Sequence, residues 1–511
     1  MTTSAQGEAS RTLQIQMLSE AQNAQNMQPM TGWRQSASYA PALIENILRL
    51  RAEISQEYAI RDIIVLGMGG SALGARVFAD AFSAELAQLG VRLRIIDTSE
   101  PSAVTATLND FNIGAGLIIV SSKSGGTIEP LCLGQIFFDR LSEILGSKRA
   151  AAAHFIAISD ADTPLSNLAK LQGWRGIINS PSNIGGRFSA LTAFGLAPIV
   201  LAGINPMRMV EAAQEVQFQC VGGESCPAEQ FALSIYQNMY SGHDKLLIGY
   251  VEQAESFARW LEQLIAESLG KQGKGLIPLP MPLHRANKML AYGKPDIQNI
   301  ALTQMTQEDY AKNMVLWMFA IEKLAGYLQV NPFDQPNVEP VKQATRAALA
   351  ANSDLMRLRQ ERDSLSTDSD DKKDDDEEVF DGDYLDQLFN DNRVMDASKM
   401  PDLVGANSYI ALLTWAPMTE QNKLMLENLA GNFQQFYQRP VVIAEGPGYL
   451  HASGQLYKGG PNSGVFAILS QNPVEDLSIS GTDYSLKQLY RASLAGDIES
   501  LLAQGRRVAK L

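Results

Sequence analysis

The chain has 511 residues, 45% hydrophobic and 19% charged, which is enough for two domains or more with sizeable cores. Asp and Glu number 56 against 42 Lys and Arg, a formal net charge of −14. No basic patch favours nucleic acid as a partner, and no apolar run approaches the roughly 20 residues that a membrane span needs. The N-terminus lacks the charged-then-apolar order of a signal peptide. Cys132, Cys220 and Cys226 show no metal-ligand spacing, so the expected location is the reducing cytoplasm.

Residues 1–55 read as a polar helical arm ending in the amphipathic ALIENILRLRAEI. From Arg61 apolar β-branched runs alternate with helical patterns. IIVLG, LRIID, GLIIV, HFIAIS and GIINS are the predicted strands; GARVFADAF, AVTATLNDF, PLCLGQIFFDRLSEIL and PLSNLAKLQ are the predicted helices. This rhythm predicts a doubly wound, mainly parallel sheet over 56–205, closed by the loop and apolar helix of INSPSNIGGRFSALTAFGLAPIVLAG. A second segment of similar style begins near Asp244, with strands KLLIGYV, GLIPLP, SYIALLTW and PVVIAEG among long helices. It is expected in two parts, 206–360 and 401–511. The acidic run ERDSLSTDSDDKKDDDEEVFDGDYLDQLFNDNRVMD holds most of the excess negative charge, and an insert over 361–400 is expected to stay solvated and disordered. The fold class is therefore α/β, with two doubly wound, mainly parallel-sheet domains and helical extensions.

Two small-residue turns stand out. VLGMGGSALGARVF (65–78) and VSSKSGGTIEP (120–130) each lie between a predicted strand and a predicted helix. Free N–H groups at such junctions favour an anion. Gly70 lets backbone approach a ligand closely, and the hydroxyls of Ser71, Ser122, Ser124 and Thr127 add donors. With Lys123, this donor-rich composition suits a phosphate better than an adenine. Asp97 ends the strand after the first turn, where a dinucleotide enzyme would hold a ribose, but nothing else supports that reading.

Further along, IGGRF places Arg187 after two glycines, either as a surface ion-pair partner or as a guanidinium set to stabilise developing oxyanion charge. QLIAESLGKQGKG ends a helix with Glu267 before a glycine C-cap, Gly270. Lys342 lies in the proline-stiffened NPFDQPNVEPVK, and His451 lies in the loop GPGYLHASGQ directly after the strand VVIAEG. A ring at the C-terminal end of a parallel strand suits acid–base work near neutral pH.

Together these segments resemble the glucose-6-phosphate isomerase family of the sugar-isomerase (SIS) fold, over roughly 60–511. GMGGSALG and SSKSGGTIEP are similar to its two phosphate loops, and IGGRFSALTAFGL to its arginine signature. AESLGKQGKG, NPFDQPNVEPVK and LHASGQ are similar to the segments bearing its catalytic glutamate, lysine and histidine. The nearest likeness is to the isomerase part of bacterial transaldolase/glucose-6-phosphate isomerase fusions; no transaldolase module fits into the first 55 residues. In most of the family the histidine segment precedes the lysine, whereas here His451 follows Lys342, as in a permuted second domain. The second phosphate loop also has fewer hydroxyls than in many relatives.

The resemblance implies aldose–ketose isomerisation of a hexose 6-phosphate through a cis-enediolate. Glu267 would move the proton, Arg187 would stabilise the enediolate, and His451 with Lys342 would open the ring. Gly70, Ser71, Ser122, Lys123, Ser124 and Thr127 would hold the phosphate. It implies no cofactor and no metal, and is compatible with a homodimer. A bifunctional glucose/mannose-6-phosphate isomerase and a non-catalytic SIS-type sugar-phosphate sensor are the alternative readings.

Overall fold

The computed structural model describes residues 30–222, 226–350 and 384–511. Its first sheet contains β1 (Asp62–Gly67), β2 (Arg92–Ile96), β3 (Gly116–Ser121), β4 (Phe155–Asp160) and β5 (Gly176–Ser180), in the order β2-β1-β3-β4-β5. All pairings are parallel. The central strands are buried on both faces, which is why DIIVLG and GLIIVS are nearly continuous apolar runs rather than alternating ones. The helix Ala193–Ala202 is buried along its whole length, as its uniform hydrophobicity requires. With the helix Ser36–Ser55, it closes one face of this sheet.

Chain order reverses between β1 and β3, and ligands of doubly wound sheets bind at such a switch point, beyond the carboxyl ends of the strands. The register aligns Leu66 with Val120 and Gly67 with Ser121, so both glycine-rich turns leave the sheet side by side.

The second half does not form one hydrogen-bonded sheet. β6 (Lys245–Tyr250), β7 (Ile277–Pro282) and β8 (Ile297–Leu302) form a three-stranded sheet in the order β7-β6-β8. β9 (Val394–Asp396), β10 (Tyr409–Trp415), β11 (Val441–Glu445), β12 (Gly464–Ser470) and β13 (Arg507–Lys510) form a second sheet, ordered β11-β10-β12-β13-β9. β7 lies beside β11 without a ladder between them. Proline explains the break. Ile277 donates its N–H toward the β6 side, to Asp244, so by alternation Pro278, Pro280 and Pro282 present the opposite edge, which lacks donors. The buried Arg285 side chain reaches across instead, donating to the Val441 carbonyl at 2.5 Å.

Two expectations change here. The insert placed over 361–400 is folded at its C-terminal end: residues 384–389 form a helix that buries Leu385 and Leu388, and β9 pairs Val394 with Val508 of β13. Those apolar residues are what the charge count overlooked; 351–383 lie outside the described residues, as does the arm before Met30. Strands β8, β9, β12 and β13 were also not read from the sequence. No helix among the described residues is long and apolar enough to cross a membrane.

Candidate active site

The two glycine-rich turns touch. Ser121 Oγ donates to the Ser71 carbonyl at 2.7 Å, and the Lys123 N–H donates to Ser71 Oγ at 3.2 Å. Ser122 Oγ donates to Thr127 Oγ1 at 3.3 Å, and Ser124 Oγ accepts from the Gly126 N–H. Thr127 is the N-cap of the 17-residue helix Ile128–Ile144 and makes no side-chain cap, so first-turn N–H groups face the turn. Lys123 is oriented differently: its Nζ lies 2.6 Å from Asp160 Oδ1 and 3.0 Å from the Pro181 carbonyl. Burial lowers the ammonium's pKa, against the pull of Asp160.

Glycine at two positions is a packing necessity. Gly69 has φ +53°, and a Cβ there would collide with the His451 carbonyl. A Cβ on Gly70 would collide with the Gly186 backbone, one residue before Arg187. The first turn is thus the meeting point of the histidine and arginine segments.

Arg187 and Glu267 form a buried ion pair, with Nη1 2.6 Å from Oε2 and side chains 2% and 5% exposed. Arg187 Nη2 donates to the carbonyls of Pro332 (2.9 Å) and Asp334 (3.3 Å). Glu267 closes the helix Glu255–Leu269, and Gln335 Nε2 donates to its Oε2 at 3.0 Å. Burial raises the Glu267 carboxyl above its ordinary range, although Arg187 opposes it. One turn earlier, Gln263 Nε2 donates to the His451 carbonyl at 2.8 Å, tying the histidine segment to the same helix.

His451 Nε2 lies 3.0 Å from Oε1 of Glu129, which is buried in the first turn of the helix Ile128–Ile144. Burial disfavours the imidazolium, but the Glu129 carboxylate outweighs it and the histidine's pKa is raised. For Glu129 burial works upward, while His451 holds the carboxyl below its ordinary range. Lys342 stands in the helical segment 339–350, 39% exposed and 3.6 Å from Glu339. Its charge is felt at both Glu129 and His451.

The structure therefore brings Gly70, Ser71, Ser122, Ser124, Thr127, Arg187, Glu267 and His451 together around the switch point, with Lys342 at the edge. Asp97, the ribose-type candidate, is engaged by Arg76 at 2.6 Å. Sequence reading missed Glu129 and Gln335. The first lies within the 120–130 segment, two residues after Thr127; the second sits between Pro332 and Pro336 in the lysine segment. Among the described residues, Arg187 Nε and Glu129 Oε2 are buried without a hydrogen-bond partner. No group of three or more His, Cys, Asp or Glu among them is arranged to hold a metal ion.

The site thus combines a parallel α/β sheet, two small-residue turns at its switch point, a buried arginine–glutamate pair and a histidine–glutamate pair. Residues 49–276 match the family model of phosphoglucose isomerase. The glucose-6-phosphate isomerase of Nostoc punctiforme is 34% identical over 217 residues, covering 41% of this chain and 40% of the relative. That of Streptococcus thermophilus is 28% identical over 341 residues, covering 63% and 74%. The chain spans 40% of the length of the Nostoc relatives it matches. Among solved structures, a hypothetical protein from Thermus thermophilus aligns with a TM-score of 0.55 at 22% identity, over 68% of this chain and 96% of that one. A glucose-6-phosphate isomerase from Chlamydia trachomatis aligns with a TM-score of 0.50 at 14% identity, over 71% and 88%. These two show the fold. The resemblance to glucose-6-phosphate isomerases read from the motifs is borne out by the family and sequence matches.

Proposed function

We propose that this chain interconverts glucose 6-phosphate and fructose 6-phosphate through a cis-enediolate. The observation that carries the reading is the buried Arg187–Glu267 pair beside the paired turns. Glu267 takes the proton from C2 of the open-chain aldose and returns it to C1. Its desolvated carboxylate, raised in pKa, is a stronger base than an exposed one. Arg187 stabilises charge developing on the enediolate oxygen without transferring a proton; its unpartnered Nε and rigid carbonyl contacts support that role.

His451 moves the proton between the ring oxygen and the C1 hydroxyl during ring opening, with Glu129 orienting the imidazole and Lys342 assisting from the edge. The phosphate is held by Ser71, Ser122, Ser124 and Thr127, by the backbone at Gly70 and by the helix N-terminus at 128. Lys123 contributes positive potential from its Asp160 pair rather than a free ammonium. The substrate's remote phosphate then supplies orientation, which converts binding energy into positioning at the reacting carbons.

A cytoplasmic location is part of the proposal, supported by three free, buried cysteines. So is a homodimer; exposed Leu424 and Phe436 on the helix Glu420–Tyr437 offer an apolar surface for it. The test is conversion of fructose 6-phosphate by the purified chain, read with a coupled dehydrogenase. Turnover lost in Glu267→Gln is the expected result; a folded wild-type chain without turnover refutes the reading.

A further inference from the structure

We propose that Lys271 is a positioning residue for this isomerisation: its ammonium locks the 331–335 strap that holds Arg187 and Glu267 in register. The assignment rests on the isomerase reading above. Lysine is almost never fully buried, because desolvating an ammonium is costly unless partners replace the water. Lys271 is nevertheless 2% exposed, four residues beyond Glu267. Its Nζ donates to the Asn331 carbonyl and lies 2.7 Å from Asp334 Oδ1.

Those two contacts bracket a strap with another task. The Pro332 and Asp334 carbonyls accept from Arg187, and Gln335, the next residue, donates to Glu267. The same ammonium that fixes the strap at 331 and 334 therefore fixes the acceptors that aim the guanidinium. Lys271 itself is held rigidly. Its backbone pairs with Lys274 in a tight turn, and Gly273 N–H donates to the Gly459 carbonyl. Asp334 is half exposed, and desolvation of the buried ammonium offsets much of what the pair contributes to stability.

Charge supports the geometry. Burial pushes the ammonium down to about 8, Arg187 adds to this, and Asp334 and Glu267 oppose it. Activity should then fall as pH rises through that value, because the neutral amine releases its hold. Lys271 and Glu267 also feel each other's charge, so removing the cation raises the base's pKa.

The experiment compares wild type, Lys271→Met, Lys271→Arg and Asp334→Asn as full chains. Lys271→Met should lower kcat about tenfold or more while the KM for fructose 6-phosphate stays within about twofold. The acid limb of its kcat/KM profile should move to higher pH, and Lys271→Arg should recover most of the loss. Asp334→Asn, a milder change that guards against misfolding, should start the alkaline loss at lower pH. Amide exchange over 331–337 should quicken in Lys271→Met, whatever the turnover. Wild-type kcat in a folded Lys271→Met overturns the assignment. So does a loss of kcat with an unmoved acid limb, or Lys271→Arg no better than Lys271→Met. An inactive wild-type chain refutes the isomerase reading instead, and the exchange data then judge the anchor by itself.

Discussion

Replacing Glu129 by Gln removes one charge from the histidine pair and little volume. Glu129 is buried, and its Oε1 lies 3.0 Å from His451 Nε2. A hydrogen bond to a charged group contributes about 1.5–3 kcal/mol. If ring opening limits the reaction, that loss corresponds to a fall in kcat/KM of about 10- to 150-fold. The His451 imidazole should titrate at lower pH in the variant, because burial and the Lys342 charge are then opposed only by the weaker pull of Glu267. Nuclear magnetic resonance of the ring protons reads this directly. Stability provides a second readout with a definite sign. The Glu129 contribution is present above its unfolded value of 4.5 and lost as pH falls through the lowered folded one. The His451 contribution is present below its unfolded value of 6.5 and lost as pH rises through the raised folded one. Wild type should exceed the variant most between 4.5 and 6.5. An unchanged His451 titration together with unchanged kcat/KM would refute the assignment of Glu129 as orienter.

Arg187→Met leaves the Glu267 carboxylate buried beside an apolar chain, so urea melts at neutral pH should show a loss of about 3–5 kcal/mol. The deficit should shrink in acid, where Glu267 is protonated. In wild type the acid limb of kcat/KM should lie above 4.5, because burial raises the Glu267 pKa and activity is lost as pH falls through it; a limb at or below 4.5 would contradict the base assignment. Gly70→Ala drives a methyl into the Gly186 backbone, and should cost about 1–3 kcal/mol together with most of the turnover. A thermally stable, active variant would show that the turns are not packed as described.

Much of this was legible in the chain. IIVLG and GLIIV marked two central strands because burial on both faces demands unbroken apolar runs. The turns after them marked the switch point, because only small residues permit Gly69 and Gly70 to meet the His451 and Gly186 backbones. The second half was less readable. RVAK has only four residues, and IQNIAL carries polar side chains at a half-buried edge, so neither β13 nor β8 stands out by periodicity. The break between β7 and β11 is written in Pro278, Pro280 and Pro282, yet its meaning depends on which edge they face. Glu129 looked like an ordinary first-turn acid; its role is visible only once His451, 322 residues away, is folded against it.

The most direct test of the account is isomerisation of fructose 6-phosphate in deuterium oxide, with the product's C2 position read by magnetic resonance. Proton transfer by Glu267 through an enediolate predicts deuterium at C2 of part of the glucose 6-phosphate, the rest carrying the hydrogen that Glu267 took from C1. It predicts neither conversion nor deuterium entry by Glu267→Gln. Conversion or deuterium entry undiminished in Glu267→Gln would contradict it.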